Sequence, residues 1–325
     1  MKRYQKVLFV LANGYILLFF SEMMFWGSFE WQELPLTWLA YSVIGFVFLT
    51  AVTHFRIQDK WGLFLAGALF GWLAEGVLVQ TTYEELPLSP SFTGLAWHAL
   101  LTIWMGWYWL PKTLRQGSAW QVVQRAGAVG MLFGLWLLVW QVEIHPAQPP
   151  TPGGFVWFAV LSSLGLGVSY WLLHWLDGAR FQVSRRSFTA VACLLLLYFA
   201  VQTVPAAPIA LVVLPLLLLL LIVPLKKARP ANGRSLLAEI AGPLALKNLL
   251  ALAALPTSAI VTFSVATWLQ IPPYSHYVLY AITTPLGFVL LGMAIFKQWR
   301  RKSGETAVTN PSTFAQTNQL PWEHQ

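Results

Sequence analysis

The chain has 325 residues, 57% of them hydrophobic and only 10% charged, against roughly a quarter charged in soluble globular domains. Its 20 Lys and Arg outnumber 12 Asp and Glu, for a formal net charge of +8. This balance excludes a disordered, collagenous or disulfide-stapled chain and an ordinary cytosolic enzyme, and it predicts an all-α, polytopic membrane helix bundle.

A helix needs about 20 mostly apolar residues to cross the hydrocarbon core, where it satisfies its own backbone hydrogen bonds. Apolar runs between polar or proline-rich breaks predict ten spans: 7–26, 37–55, 62–81, 93–110, 126–142, 155–175, 187–203, 207–225, 246–268 and 277–296. The first begins like a secretory signal, but no small-x-small site follows and Ser21-Glu-Met-Met24 continues the helix, so it reads as an uncleaved span. The bundle is expected over 1–302, with a flexible tail over 303–325.

Charge tests the count independently. With the spans alternating, all 20 Lys and Arg fall in segments on one side, from Lys2 and Arg3 to Arg301 and Lys302. The opposite loops carry Glu30, Glu33, Glu84, Glu85 and Glu143 instead. The positive-inside rule then predicts both termini in the cytoplasm and a place in the cell membrane. The basic residues are explained as topology determinants beside anionic headgroups, so nucleic acid is not an expected partner.

Along the chain, Glu33-Leu-Pro-Leu36 before the second span is echoed by Glu85-Leu-Pro-Leu88 before the fourth, which suggests a duplicated hairpin. No comparable echo links residues 1–154 with 155–325. Gly67, Gly71 and Glu75 fall at i, i+4, i+8 on the third span, and Gly94, His98, Thr102 and Gly106 form a similar ridge on the fourth. Small residues at that spacing let two backbones approach closely in lipid. On this reading Trp97, Trp104, Trp107 and Trp109 take other faces, toward lipid or the headgroup belt. Gly165-x-Gly167 reads as a packing signal, the lone Cys193 as a small buried hydrophobe, and Leu216 to Leu221 as a lipid-facing stretch. His54 and His174 read as anchors at span ends, and 235–240 as a short interfacial helix.

An ionisable side chain inside a span is expensive and is a site hypothesis by default. Glu22, Glu75 and His98 qualify, with Asn13 as a neutral companion deeper in the first span and Thr102 on the ridge of His98. Such a pair can relay protons, couple transport to a gradient, or act as base and orienting partner; it can also serve as a structural clamp. No HExxH or HxxxH spacing supports a metal site among Glu30, Glu33, Glu84, Glu85, Glu143, His145 and His276, and neither a metal nor another cofactor is expected. No serine has a partner visible in the sequence. The sequence therefore predicts a permease or secondary transporter of a small solute. An intramembrane enzyme using the Glu/His pair on a lipid or isoprenoid is the second reading, and an accessory subunit of a membrane complex the third.

Overall fold

The computed structural model describes residues 1–28, 30–144, 151–176, 178–233, 235–270 and 276–301, with side chains except those of 140–144. The helices are α1 (Arg3–Trp26), α2 (Leu34–His54), α3 (Lys60–Leu78), α4 (89–116), α5 (Ala119–Ile144), α6 (Pro152–Trp175), α7 (Arg185–Ala206), α8 (Ala210–Lys227), α9 (Leu246–Trp268) and α10 (His276–Arg300). No strand occurs among the described residues. The expected tail, the Glu143 side chain and His145 lie outside what is described.

Nine of these helices, all but α4, are long and apolar enough to cross a membrane among the described residues, one fewer than the ten expected. The fourth expected span is present as helix, but His98, Thr93, Thr102 and four tryptophans dilute its hydropathy. Its backbone is also unusual. Phe92–Trp109 is π-helical, and the Leu110 N–H donates to the Met105 carbonyl five residues back. Side chains five apart then share a face, and Trp97, Thr102 and Trp107 are all buried. This corrects the expectation that Trp97 and Trp107 meet lipid: a period of 3.6 does not apply to this helix.

The basic segments gather at one end of the bundle. Lys6 Nζ donates to the Gln182 carbonyl (2.9 Å), Arg56 to the Ala231 carbonyl, Arg115 to the Ala238 carbonyl (2.8 Å), and Arg301 pairs with Asp59 (2.7 Å). Lys112 lies there too, beside Glu239 (2.5 Å). Burial alone would lower its pKa, but hydrogen bonds from Lys112 to Glu239 and Tyr108 raise it on balance. The opposite, acidic end is tied by Tyr280, whose hydroxyl donates to Glu85 at 3.0 Å.

Burial grades from the centre outward. In α3, 89% of the membrane-length window is buried, in α1 72%, and in α7 only 6%. Small residues make the centre possible. A Cβ on Gly67 would lie 2.9 Å from Ala99 Cα, and one on Gly71 2.3 Å from the Gly94 carbonyl oxygen, so α3 and α4 touch backbone to backbone. Gly130 and Gly134 do the same for α5 against α9.

Three smaller expectations are corrected. Cys193 is exposed on α7, because that helix hardly packs. His174 is buried, with Nδ1 3.1 Å from the Gly242 carbonyl, and is not a lipid anchor. The short helix Leu237–Ile240 is docked, not interfacial: Leu237 and Ile240 are buried, and the preceding Leu236 N–H donates to the Ile57 carbonyl at 2.8 Å.

Gly71→Val is expected to prevent folding or lower the melting temperature in detergent by at least 10 °C, an overpacking cost of several kcal/mol on a rigid backbone contact (about 1–3 kcal/mol where side chains can yield). Gly127→Val, where a Cβ meets nothing within 4 Å, should stay within a few degrees of wild type. Fluorescence-detected size exclusion after heating checks both.

Candidate functional site

Three π-helical segments converge near the acidic end: Phe19–Met23 in α1, Ala74–Leu78 in α3 and Phe92–Trp109 in α4. They carry Ser21 and Glu22, Glu75, and His98 respectively. π segments inside α-helices recur at functional sites because the widened turn re-aims side chains and frees backbone groups. Here all three widened turns face one another.

Glu75 and His98 meet directly, with His98 Nε2 2.6 Å from Glu75 Oε1 and both side chains buried. The other carboxylate oxygen, Oε2, accepts from the Thr81 hydroxyl. His98 Nδ1 lies 3.0 Å from Ser21 Oγ, which lies 3.2 Å from Thr102 Oγ1. The result is an unbroken buried chain, Thr102–Ser21–His98–Glu75. Both ring nitrogens of His98 are engaged, so the imidazole reaches a bound molecule only through Ser21 or Glu75. With Glu75 ionised, Nε2 carries the proton, Nδ1 accepts, and Ser21 donates to it. Passing the Nε2 proton to Glu75, while Ser21 gives its proton to Nδ1 and takes one from the cavity in exchange, adds one proton to the chain and reverses its polarity without moving a heavy atom.

Glu22 stands beside this chain. Its Oε1 accepts from the Tyr41 hydroxyl, and its Oε2 accepts from Trp26 Nε1 at 2.9 Å. Both of its carboxylate oxygens are therefore tied to neighbouring side chains. Ser21, Glu22, Glu75 and His98 line one cavity of about 450 Å³, together with Glu84, Glu85 and His276. Its rings are Phe25, Trp26, Phe92, Trp97, Tyr277 and Tyr280, and no Lys or Arg occurs among the described residues lining it. Beneath it, Phe20, Phe70 and Trp107 are fully buried, and Phe70 meets the His98 ring edge-on with centroids 5.5 Å apart. Tyr83 braces the rim from the α3–α4 connection: its hydroxyl donates to the Gly76 carbonyl at 2.6 Å, and burial pushes its pKa up to about 12, so it stays a neutral donor.

The other two predicted residues are placed differently. Asn13 lies below the cavity, accepting from Trp107 Nε1 at 2.6 Å and donating to the Phe9 carbonyl, also at 2.6 Å. It satisfies a buried indole. Thr102 lies behind Ser21 and does not line the cavity. Sequence reasoning missed Ser21, Tyr41 and Thr81. The signal available was weak: a small hydroxyl beside Glu22, a tyrosine within an apolar run, and a threonine six residues after Glu75. Among the described residues, no three His, Cys, Asp or Glu side chains are arranged to hold a metal ion.

Comparison of the chain with protein families, with curated proteins and with solved structures finds no match.

The chain should contribute measurable stability. Glu75→Leu leaves the buried His98 ring N–H and the part-buried Thr81 hydroxyl without their acceptor and is expected to cost about 1–3 kcal/mol. Glu75→Gln keeps an acceptor for His98 and should lose less than half of that. Equilibrium unfolding in mixed detergent micelles measures the difference; equal losses in the two variants would contradict the hydrogen-bond assignment.

Proposed function

We propose that the protein is a permease of the cell membrane that takes a small organic cation into the acid-end cavity and exchanges it for a proton held by Glu75 and His98. The single observation behind this reading is the buried Ser21–His98–Glu75 chain in the wall of a cavity with four carboxylates, six aromatic rings and no described Lys or Arg. With two protons on the pair, as a protonated Glu75 beside neutral His98 or as a carboxylate beside an imidazolium, the pair is neutral; loss of one leaves ionised Glu75 beside neutral His98 and makes the pair negative. A cation in the cavity favours that loss by simple Coulomb attraction, strengthened by the poor screening of a buried site. Aromatic faces such as Trp26 and Trp97 add attraction for an alkylammonium group. With the basic end in the cytoplasm, as the positive-inside rule requires, the cavity opens to the outside.

Binding and proton displacement can be tested without knowing the natural solute. Tetramethylammonium, choline or putrescine should quench tryptophan fluorescence of the purified protein, whereas acetate and sulfate should not. In weak buffer with a pH indicator, the binding cation should release a proton from wild type and none from Glu75→Gln. Cation binding with no proton release, or no preference for cations, would reject the proposal.

A second reading is favoured by one contact. Ser21 Oγ lies 3.0 Å from His98, which is held in turn by Glu75, the order of nucleophile, base and orienting acid used in covalent catalysis. On this reading the packed floor closes a site for an amphipathic ester or phosphoester reached from the outer leaflet. A fluorophosphonate probe should then label wild type and neither Ser21→Ala nor His98→Ala; failure to label folded wild type leaves the permease reading alone.

A further inference from the structure

The bundle holds a second and larger cavity, about 1050 Å³, on the other face of α3 from the Glu75 site and reaching to the basic end. It exists because α7 stands off from the bundle. Only 6% of the membrane-length window of that helix is buried, yet its far end is fastened: Thr203 donates to the Val77 carbonyl of α3 at 2.8 Å. Between the ends of α7, apolar side chains such as Leu69, Leu195 and Leu218 line a slot running along α2, α3, α7 and α8. Thr50 and Thr53 spend their hydroxyls on the Phe46 and Leu49 carbonyls of α2, and the rest of the lining along the spans is hydrocarbon.

The polar part of its lining lies at one end and is of one sign. His54 and Arg56 close α2, Ser184 and Arg185 open α7, and no Asp or Glu occurs among the described residues lining the cavity. Arg56 uses Nη1 for its bonds to the Pro230 and Ala231 carbonyls, which leaves the other edge of the guanidinium for a ligand. Ser184 caps α7 by accepting from the Ser187 N–H at 3.1 Å, so the positive end of a 22-residue helix faces the same place. Long apolar slot, cationic head: this is the complement of an anionic amphiphile. A basic pocket between spans at the cytoplasmic leaflet is a recognised form of phospholipid headgroup site.

We propose that this slot holds one anionic phospholipid, with an acyl chain between α7 and the α2–α3–α8 face and its phosphate at Arg56, Arg185 and the first turn of α7. The inference is independent of what the Glu75 cavity does.

Native mass spectrometry of the purified chain, stripped of lipid and titrated with dioleoyl phosphatidylglycerol or dioleoyl phosphatidylcholine, tests it. One phosphatidylglycerol should be retained per chain, at least tenfold more tightly than phosphatidylcholine. Arg185→Gln should weaken retention about fivefold, and Ala192→Trp, which fills the slot without touching the charged end, should abolish it. Because Arg56 also tethers a loop, Arg56→Gln is read only alongside these two. Equal retention of the two lipids, or undiminished retention in both Arg185→Gln and Ala192→Trp, would overturn the proposal. So would a second copy of the chain occupying the slot, seen as a dimer whose formation expels the lipid.

Discussion

The backbone contact between α3 and α4 is the constraint on which the site depends. Gly71 and Gly94 let the two helices meet with no side chain between them, since a Cβ on Gly71 would lie 2.3 Å from the Gly94 carbonyl oxygen and 2.9 Å from His98 Cβ. A carboxylate is short, and an imidazole only slightly longer. Separated by even one intervening methyl layer, Glu75 and His98 would need water between them. Held at this spacing, they form a direct 2.6 Å contact between two buried side chains. Small-residue packing, usually described as an affinity device for helices in lipid, here also sets the reach of the chemistry.

The architecture was largely legible in the sequence because the bilayer imposes strong rules. Length and apolarity located the helices, and charge segregation predicted the gathering of basic segments that the contacts Lys6–Gln182, Arg56–Ala231 and Asp59–Arg301 display. The small-residue ridges correctly turned Glu75 and His98 inward. Helical periodicity failed where hydrogen bonding departs from the α pattern. On a helix with five-residue bonding, Trp97, Thr102 and Trp107 form one buried stripe, so indoles expected at lipid instead donate to the Phe20 carbonyl and to Asn13. Ser21 was missed for a related reason. Serine is common in spans and carries no charge, and only the convergence of three widened turns, invisible in one sequence, brings its hydroxyl to His98.

Full pairing of Thr102, Ser21, His98 and Glu75 would also suit a purely structural tie. The arrangement argues otherwise on economy of parts. A buried tie needs one donor and one acceptor, as Asn13 and Trp107 show a short distance below. The Glu75 site instead links a carboxylate, an imidazole and two hydroxyls in series, sets a second carboxylate beside them, and does so on the wall of a cavity. Ionisable groups in a span are costly, and a purely structural clamp could be built from amides and hydroxyls without them. On the proposed reading, what the costlier set adds is a proton that can change place.

The two cavities are not mechanically separate, because α3 forms a wall of each. Leu69, Leu73 and Val77 face the slot, while Glu75, two residues from both Leu73 and Val77, faces the acid-end cavity. The Val77 carbonyl accepts the Thr203 hydroxyl of α7, and this bond joins the π segment that carries Glu75 to the π segment Phe199–Thr203 of the least-packed helix. A widened turn is the part of a helix that most readily changes register. On the two proposals, an occupant that moved α7 against α3 would act on the turn presenting Glu75, and a change of charge at Glu75 would act in return on the seat of α7, since coupling between two binding equilibria is reciprocal. A helix fastened at one end and loose along its length is suited to that role; buried as deeply as α3, it would have no second position to take.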